Sequence, residues 1–273
     1  MNEHDKEELE LDLFIELVKR YFDYNFDDYT RASVKRRIKH LVVKRGVDHI
    51  CELIPKVLYE NDFRRVLLQG ISVTVTEMFR DPWVFASIRN ELIPALTILP
   101  TINIWHAGCA TGEEVYSMAI MLQEAGLLQY CHIYATDFNE SSLEIAKQGK
   151  YPLENIKSYT KNYIAAGGMC SFSDYYSVDG RWAILDPHLK EHIHFRQHDL
   201  AKDESFGMMN LILCRNVLIY FKKPLQDLVF NLFNASLSTN GFLVIGDKES
   251  IDFSSIANDF EAFCPKCKIY RRH

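Results

Sequence analysis

The sequence predicts an α/β protein, a doubly wound and mostly parallel sheet preceded by a helical domain and carrying a small, partly β insert. Three observations predict it. Apolar residues recur at helical spacing through about Leu68. From Thr101 onward, short apolar runs alternate with helical patterns, the rhythm of a parallel sheet with crossover helices. Between them, Ile102–His106 runs into Gly108-Cys109-Ala110-Thr111-Gly112-Glu113-Glu114, a strand, a glycine turn and a helix start.

In the first region, Leu9, Leu13 and Leu17 recur with Phe14 and Val18 as one helix. A second helix, Thr30 to Arg45, places Val34, Ile38, Leu41 and Val42 on one face. Its other positions carry Arg31, Lys35, Arg36, Arg37, Lys39, Lys44 and Arg45. Such a run is ordinarily a solvated face. Nearly every charge in it is positive, although the whole chain has a net charge of -6, so it is also a candidate docking surface for an acidic partner. Helical stretches over Val47–Tyr59 and on to Leu68 complete a domain assigned to residues 1–70.

Residues 71–273 form the second domain. Strands are expected at Ile102–His106, Cys131–Ala135, Ile193–Gln197, Met209–Cys214 and Phe242–Gly246, with helices at Val115–Gly126, Ser142–Gln148 and Leu225–Leu237. Between about 151 and 191 the alternation stops. Phe172, Tyr175, Tyr176, Val178 and Trp182 surround Asp179-Gly180, a hairpin-turn dipeptide, which predicts the insert.

The 273 residues, 48% hydrophobic and 25% charged, suffice for one large domain with a smaller one. No apolar run reaches the roughly 20 residues of a membrane-spanning helix, so a soluble chain is expected, without membrane insertion. The acidic start, Met1–Asp12, is unlike a secretory signal. The seven scattered cysteines suit a reducing compartment, and a cytoplasmic location is expected. The acidic balance argues against nucleic-acid partners, whose binding rests on phosphate neutralisation.

The glycine turn should lie at the carboxyl edge of the sheet, where ligands bind in such folds. Its spacing is Gly-x-x-x-Gly, not the dinucleotide fingerprint. Glu113 and Glu114 at the helix start would repel a pyrophosphate and suit a cation bearing a sulfonium and an ammonium; they equally complement the helix dipole. Asp137, roughly 25 residues on at a strand end, is placed to accept from ribose hydroxyls, or to make a turn. These two features do not by themselves separate adenosylmethionine from a nicotinamide dinucleotide.

Further motifs occur in order: Thr76-Glu77-Met78-Phe79-Arg80-Asp81, Gly112-Glu113-Glu114 with Tyr116-Ser117, Ala135-Thr136-Asp137, Cys214-Arg215-Asn216-Val217-Leu218-Ile219-Tyr220-Phe221, and Gly241–Gly246 followed by Glu249-Ser250. From about Phe22 to the end, the chain resembles the chemotaxis receptor (CheR-type) protein-glutamate O-methyltransferases. The resemblance implies a Rossmann-like methyltransferase sheet, with S-adenosylmethionine as cofactor, S-adenosylhomocysteine as product and no metal. It implies cofactor contacts from Thr74, Thr76, Arg80, Gly108, Glu114, Asp137, Asp199, Leu200, Arg215 and Asn216. Arg80 and Tyr220 are implied as the catalytic pair that orients the substrate carboxylate. Thr74 and Asp199 stand where the family commonly has Asn. The implied reaction is methyl transfer to glutamates of a chemoreceptor's cytoplasmic helical bundle, by a monomer, with Arg31, Lys35, Arg36 and Lys39 docking the partner. The alternatives are a methyltransferase of the same fold with another protein or a small-molecule substrate, and a non-catalytic adenosylmethionine-binding adaptor. Cys264-Pro265-Lys266-Cys267 lacks further ligands at zinc spacing, and a redox role would want the motif at a helix start after a strand, so neither is expected; His192, His194 and His198 read as surface or supporting residues.

Overall fold

The computed structural model describes residues 2–71 and 76–273, so Thr74 lies outside the described residues. The chain divides into two compact units, Met1–Val73 with Tyr220–Gln226, and Thr74–Ile219 with Asp227–His273.

Among the described residues, the N-terminal part of the first unit is built from α1 Glu3–Phe22, α2 Arg31–Arg45, α3 Leu53–Tyr59 and α4 Phe63–Ile71. A capping box starts α1. Asn2 Oδ1 accepts the Asp5 amide at 2.8 Å while Asp5 Oδ2 accepts the Asn2 amide at 3.2 Å, which satisfies donors the first turn leaves open. The buried stripe of α1 is Leu11, Phe14 and Val18, whereas Leu9 and Leu13 are about half exposed. Both sets have helical spacing, but a helix packed on one side buries only one stripe. In α2, Val34, Ile38, Leu41 and Val42 turn inward as expected. Arg37, grouped with the basic positions, turns inward too, its guanidinium 4.2 Å from the centre of the Tyr220 ring. The expected helix Val47–Tyr59 is shorter. A 3-10 turn, Ile50–Glu52, precedes α3, and Glu52 Oε1 holds the amides of Asp48 and His49 at 3.1 and 2.8 Å. Pro55 is tolerated because it sits in the first turn of α3, where no backbone partner awaits its missing N–H.

The second unit starts with α5 Pro82–Ser87 and α6 Ile93–Leu96, joined by a π turn over Ile88–Leu92. Then come β1 Ile102–Ala107, α7 Glu113–Glu124, β2 Cys131–Asp137 and α8 Glu140–Gln148. The insert contributes β3 Lys150–Pro152, α9 Ile156–Ala165, β4 Tyr176–Asp179 and β5 Trp182–Leu185. The main sheet resumes with β6 Ile193–Gln197, β7 Met209–Cys214, α10 Lys223–Ser236, β8 Leu237–Ile245, β9 Phe260–Cys264 and β10 Ile269–Arg272.

The main sheet has the order β6-β2-β1-β7-β8-β10-β9. Its first five strands are parallel, with Ile104 of β1 paired to Ile133 of β2 and to Leu211 of β7. Such strands are covered on both faces, and Ile102, Ile104, Leu211, Ile212 and Leu213 are accordingly buried. The antiparallel pair β9–β10 at one edge was not anticipated, because its strands are short and carry the polar Glu261, Arg271 and Arg272. From β1 the chain winds one way through β2 and β6, then the other way through β7 and β8. The switch point between β1 and β7 is where an open sheet of this kind leaves room for a ligand.

The insert is a three-stranded sheet of order β3-β5-β4. Its hairpin differs by one residue from expectation: Asp179 is still in the strand, paired with Trp182, and the loop is Gly180-Arg181. The insert is tied to α7 through Glu124, which accepts from the Tyr175 hydroxyl at 2.9 Å and the Met169 amide at 3.1 Å and pairs with Arg89 at 2.6 Å.

Candidate active site

Backbone geometry fixes the glycine turn first. The amides of Gly108 and Cys109 both donate to the Thr136 carbonyl, at 2.8 and 2.9 Å, so the ends of β1 and β2 are stitched together. Gly108 has φ +77, and a Cβ there would lie 2.7 Å from Val217 Cγ2 in the loop after β7. The switch-point loops thus come as close as they do because residue 108 has no side chain. Gly112, with φ +92, faces less yielding neighbours: a Cβ would fall 2.9 Å from Ala146 Cβ and 3.3 Å from Ala146 Cα. Backbone cannot swing aside, so Gly112→Ala is expected to destabilise the protein by roughly 2–4 kcal/mol. Urea denaturation measures this, and a loss under 1 kcal/mol would mean the turn relaxes freely.

Asp137 ends β2 with both carboxylate oxygens engaged, Oδ2 by the Ala110 amide at 2.9 Å and Oδ1 by the Asn139 amide at 2.9 Å. Burial raises its pKa, and these amides work against the rise. Each oxygen keeps acceptor capacity beyond one amide. The His198 amide donates to the Asp137 carbonyl at 3.2 Å, which brings Asp199 and buried Leu200 beside the β2 end. Asp199 Oδ1 accepts the Ala201 amide at 3.0 Å. That Asx turn needs only a side-chain oxygen, which explains why Asp serves where Asn was expected.

Glu114 stands in the first turn of α7 within a chain of charges. Its Oε1 is 3.1 Å from His106 Nδ1, and its Oε2 accepts from Arg215 at 2.9 Å. Arg215, its side chain 1% exposed, also donates to Asp81 Oδ2 at 2.8 Å and to the Arg80 carbonyl at 3.2 Å. Burial alone would raise the Glu114 carboxyl, but the His106 hydrogen bond and the Arg215 charge hold it below its ordinary value. Arg215 thus joins the loop after β7, the start of α7 and the 78–81 segment. That segment is further fixed by the Phe79 amide donating to Ser117 Oγ at 2.9 Å and by Asn162 donating to the Met78 carbonyl at 3.1 Å. Thr76 leads into it.

Asn216 has φ +59, a conformation Asn tolerates better than most residues. Buried Glu249 shapes its loop by accepting the amides of Gly246, Asn216 and Ile219 at 2.5, 3.2 and 3.3 Å. Burial raises the Glu249 pKa, and those amides oppose it. Glu113 points elsewhere. It accepts from Thr111 Oγ1 at 2.7 Å and from the Tyr159 hydroxyl at 3.4 Å, and burial pushes it up to about 7.

The structure therefore brings Arg80, Gly108, Glu114, Asp137, Asp199, Leu200, Arg215 and Asn216 to the carboxyl edge of one sheet. Tyr220 belongs to the helical unit, where its carbonyl accepts the Thr30 amide at 2.9 Å. Three supporting residues were missed: His106, Asp81 and Glu249. Their signal was a polar residue at the end of an apolar run, or inside a motif read for its neighbours.

The docking residues are more engaged than expected. Arg31 pairs with Glu8 and Asp12, Lys35 with Glu7 and Glu8, and Lys39 with Glu7. Hydrogen bonds from Lys35 and then Arg31 lower the Glu8 carboxyl to about 2. Arg36 is exposed and makes no ion pair among the described residues.

The edge at the switch point is lined by Glu114, Asp81 and Asp137, with Arg215 neutralised by two of them. This donor set fits a cationic nucleoside such as S-adenosylmethionine better than a pyrophosphate. Comparison with known proteins makes the family specific. Residues 74–265 match the family described as CheR methyltransferase, SAM binding domain, and residues 9–72 match CheR methyltransferase, all-alpha domain. The chain belongs to the CheR methyltransferase family. It is 44% identical to Cher3 of Pseudomonas putida over 265 residues, 97% of each chain. It is 30% identical to chemotaxis protein methyltransferase 1 of Vibrio cholerae, over 86% of each chain. It is also 30% identical to the chemotaxis protein methyltransferase of Borreliella burgdorferi, over 89% of this chain and 88% of that one.

Proposed function

We propose that this protein transfers methyl groups to glutamate side chains of chemoreceptors, forming methyl esters. The observation that carries the reading is the Glu114–Arg215–Asp81 chain, which locks the Arg80 segment against the glycine turn. Relatives named for chemotaxis methylation, at 30% identity over most of their length, support the acceptor. When bound, adenosylmethionine supplies a methyl group on a sulfonium, an electrophile that needs no metal or acid–base catalyst. Asp137 accepts from the ribose hydroxyls, Glu114 faces the amino-acid portion, and Asp199 and Leu200 flank the base. Thr74 and Thr76 contribute from the segment that leads to Arg80. A glutamate is already ionised at neutral pH, so the remaining task is to hold its oxygen in line. Arg80 and Tyr220 do this by hydrogen bonding to the acceptor carboxylate.

The acceptor bundle docks on α2. Arg31 and Lys39 are largely exposed and such ion pairs are weak, so acidic groups on a partner can replace their α1 carboxylates, while Lys35 is more enclosed between Glu7 and Glu8. Arg36 has no such pair to break and contributes most directly. Incubation with labelled adenosylmethionine and receptor-bearing membranes should give base-labile label on the receptor. Arg36→Glu should lower that label several-fold and leave calorimetric cofactor affinity unchanged. Label found only on another acceptor would overturn the substrate reading, and loss of cofactor binding in Arg36→Glu would overturn the docking assignment.

A further inference from the structure

The C-terminal hairpin carries Cys264-Pro265-Lys266-Cys267, which takes no part in the site above. Cys264 ends β9, and Pro265–Cys267 form a single 3-10 turn before β10. Cys264 is the extended N-cap of that turn, and a 3-10 rise of about 6 Å over three residues is a Cα separation a disulfide accepts. Both sulfurs converge on one hydroxyl, Ser87 Oγ, at 3.6 Å from Cys264 Sγ and 3.2 Å from Cys267 Sγ. Cys267 Sγ is also 3.8 Å from the Trp83 carbonyl. Burial raises the Cys267 pKa, and its hydrogen bond with Cys264 adds to the rise. Cys267 is buried and Cys264 only partly so, which leaves Cys264 as the sulfur a dissolved oxidant reaches first. Ser87 and Trp83 lie on α5, whose N-cap is Asp81, the residue paired with Arg215.

We propose that Cys264 and Cys267 are an oxidisable dithiol, and that their disulfide loosens α5 and so weakens the cofactor site. The Cys264 thiolate attacks an oxygen of hydrogen peroxide, the O–O bond breaks, hydroxide leaves and Cys264 becomes a sulfenic acid. Cys267 sulfur then attacks Cys264 sulfur, the S–S bond forms, and the sulfenic oxygen departs as water with the Cys267 proton. Two thiols lose two electrons and two protons, and one peroxide becomes two waters. A disulfide sulfur has no hydrogen to donate, so the one S–H of Cys267, within reach of Ser87 Oγ and of the Trp83 carbonyl, is lost to both. The Trp83 and Ser87 contacts lie within six residues of Asp81, at the start of a helical run that continues through the π turn to Leu96.

The proposal rests on the cofactor reading only for its affinity readout. The full-length protein is treated with hydrogen peroxide, digested without reduction and mapped by mass spectrometry. Adenosylhomocysteine binding is measured by calorimetry before and after. A Cys264–Cys267 cross-link should form, with affinity falling roughly fivefold, the equilibrium effect of about one lost hydrogen bond. Dithiothreitol should restore it, and Cys264→Ser should show neither change. Absence of the cross-link, a cross-link with unchanged affinity, or the same fall in Cys264→Ser would each overturn the proposal. Failure of the reduced protein to bind adenosylhomocysteine would instead count against the cofactor reading. Hydrogen exchange over residues 82–87 would then decide: faster exchange on oxidation supports the proposal, and unchanged exchange overturns it.

Discussion

Arg215→Ala is expected to remove about 3–5 kcal/mol of folding stability and to abolish measurable adenosylhomocysteine binding. The stability figure follows from breaking a buried ion pair on one side only. Arg215 is almost wholly buried and holds two carboxylates, and the substitution leaves Glu114 and Asp81 facing a site from which their cation has gone. His106 offers Glu114 partial compensation through its Nδ1 contact at 3.1 Å, whereas Asp81 loses its ion pair. The binding loss follows because Arg215 also donates to the Arg80 carbonyl, so the Arg80 segment loses its link to the loop after β7. Arg215→Lys keeps the charge but cannot span both carboxylates as a planar fork, and should recover only part of the stability. Adding Glu114→Gln to Arg215→Ala should cost less than the two changes separately, since neutralising one member relieves the other. Urea denaturation of wild type and the four variants, Glu114→Gln alone included, with calorimetry tests this, and a loss under 1 kcal/mol in Arg215→Ala would remove the charge chain from the account.

The second large effect concerns Glu113. Its folded pKa of about 7 lies above the ordinary 4.5 because burial penalises the charged form. For a group whose folded pKa is raised, the favourable contribution is complete below the unfolded value and disappears as pH climbs through the folded one. The wild-type protein should therefore lose on the order of 3 kcal/mol from this group between about pH 4.5 and pH 7. Glu113→Gln never ionises and keeps an oxygen to accept from Thr111. Its stability relative to wild type should rise across that window and level off above it. Subtracting the two unfolding curves at each pH cancels the other titrating groups. A difference that stays flat from pH 4.5 to pH 8 would show that Glu113 is not held neutral.

Much of the site was legible because its parts lie next to one another in sequence. The glycine turn, with Glu113 and Glu114 following it, is a local statement about a strand running into a helix. Asp137 could be found because it ends a run read as a strand, and Arg215 because it stands in the motif that carries the family resemblance. His106 escaped because it reads as part of its strand, and nothing local shows that its ring meets a carboxylate eight residues on. The two glutamates looked equivalent in sequence. Helix α7 turns Glu114 toward Arg215 and Glu113 toward Tyr159, so only one is held charged.

Periodicity likewise determined that α1 is a helix but not which stripe it buries, since Leu9 and Leu11 belong to equally regular series. The β9–β10 pair was invisible for the converse reason: a short edge strand needs a neighbour to satisfy its backbone, not an apolar pattern of its own. The sequence by itself determined the fold class, the turn at Gly108–Glu114 and the family resemblance, because these rest on local spacing and on ordered motifs. Only the tertiary structure decided which charges meet. It tied Arg31, Lys35 and Lys39 to α1, joined Arg215 to Asp81 and Glu114, and set two cysteines on one serine. Such pairings join residues from 19 to 180 positions apart, and their strength depends on burial and distance, which no local window of sequence contains.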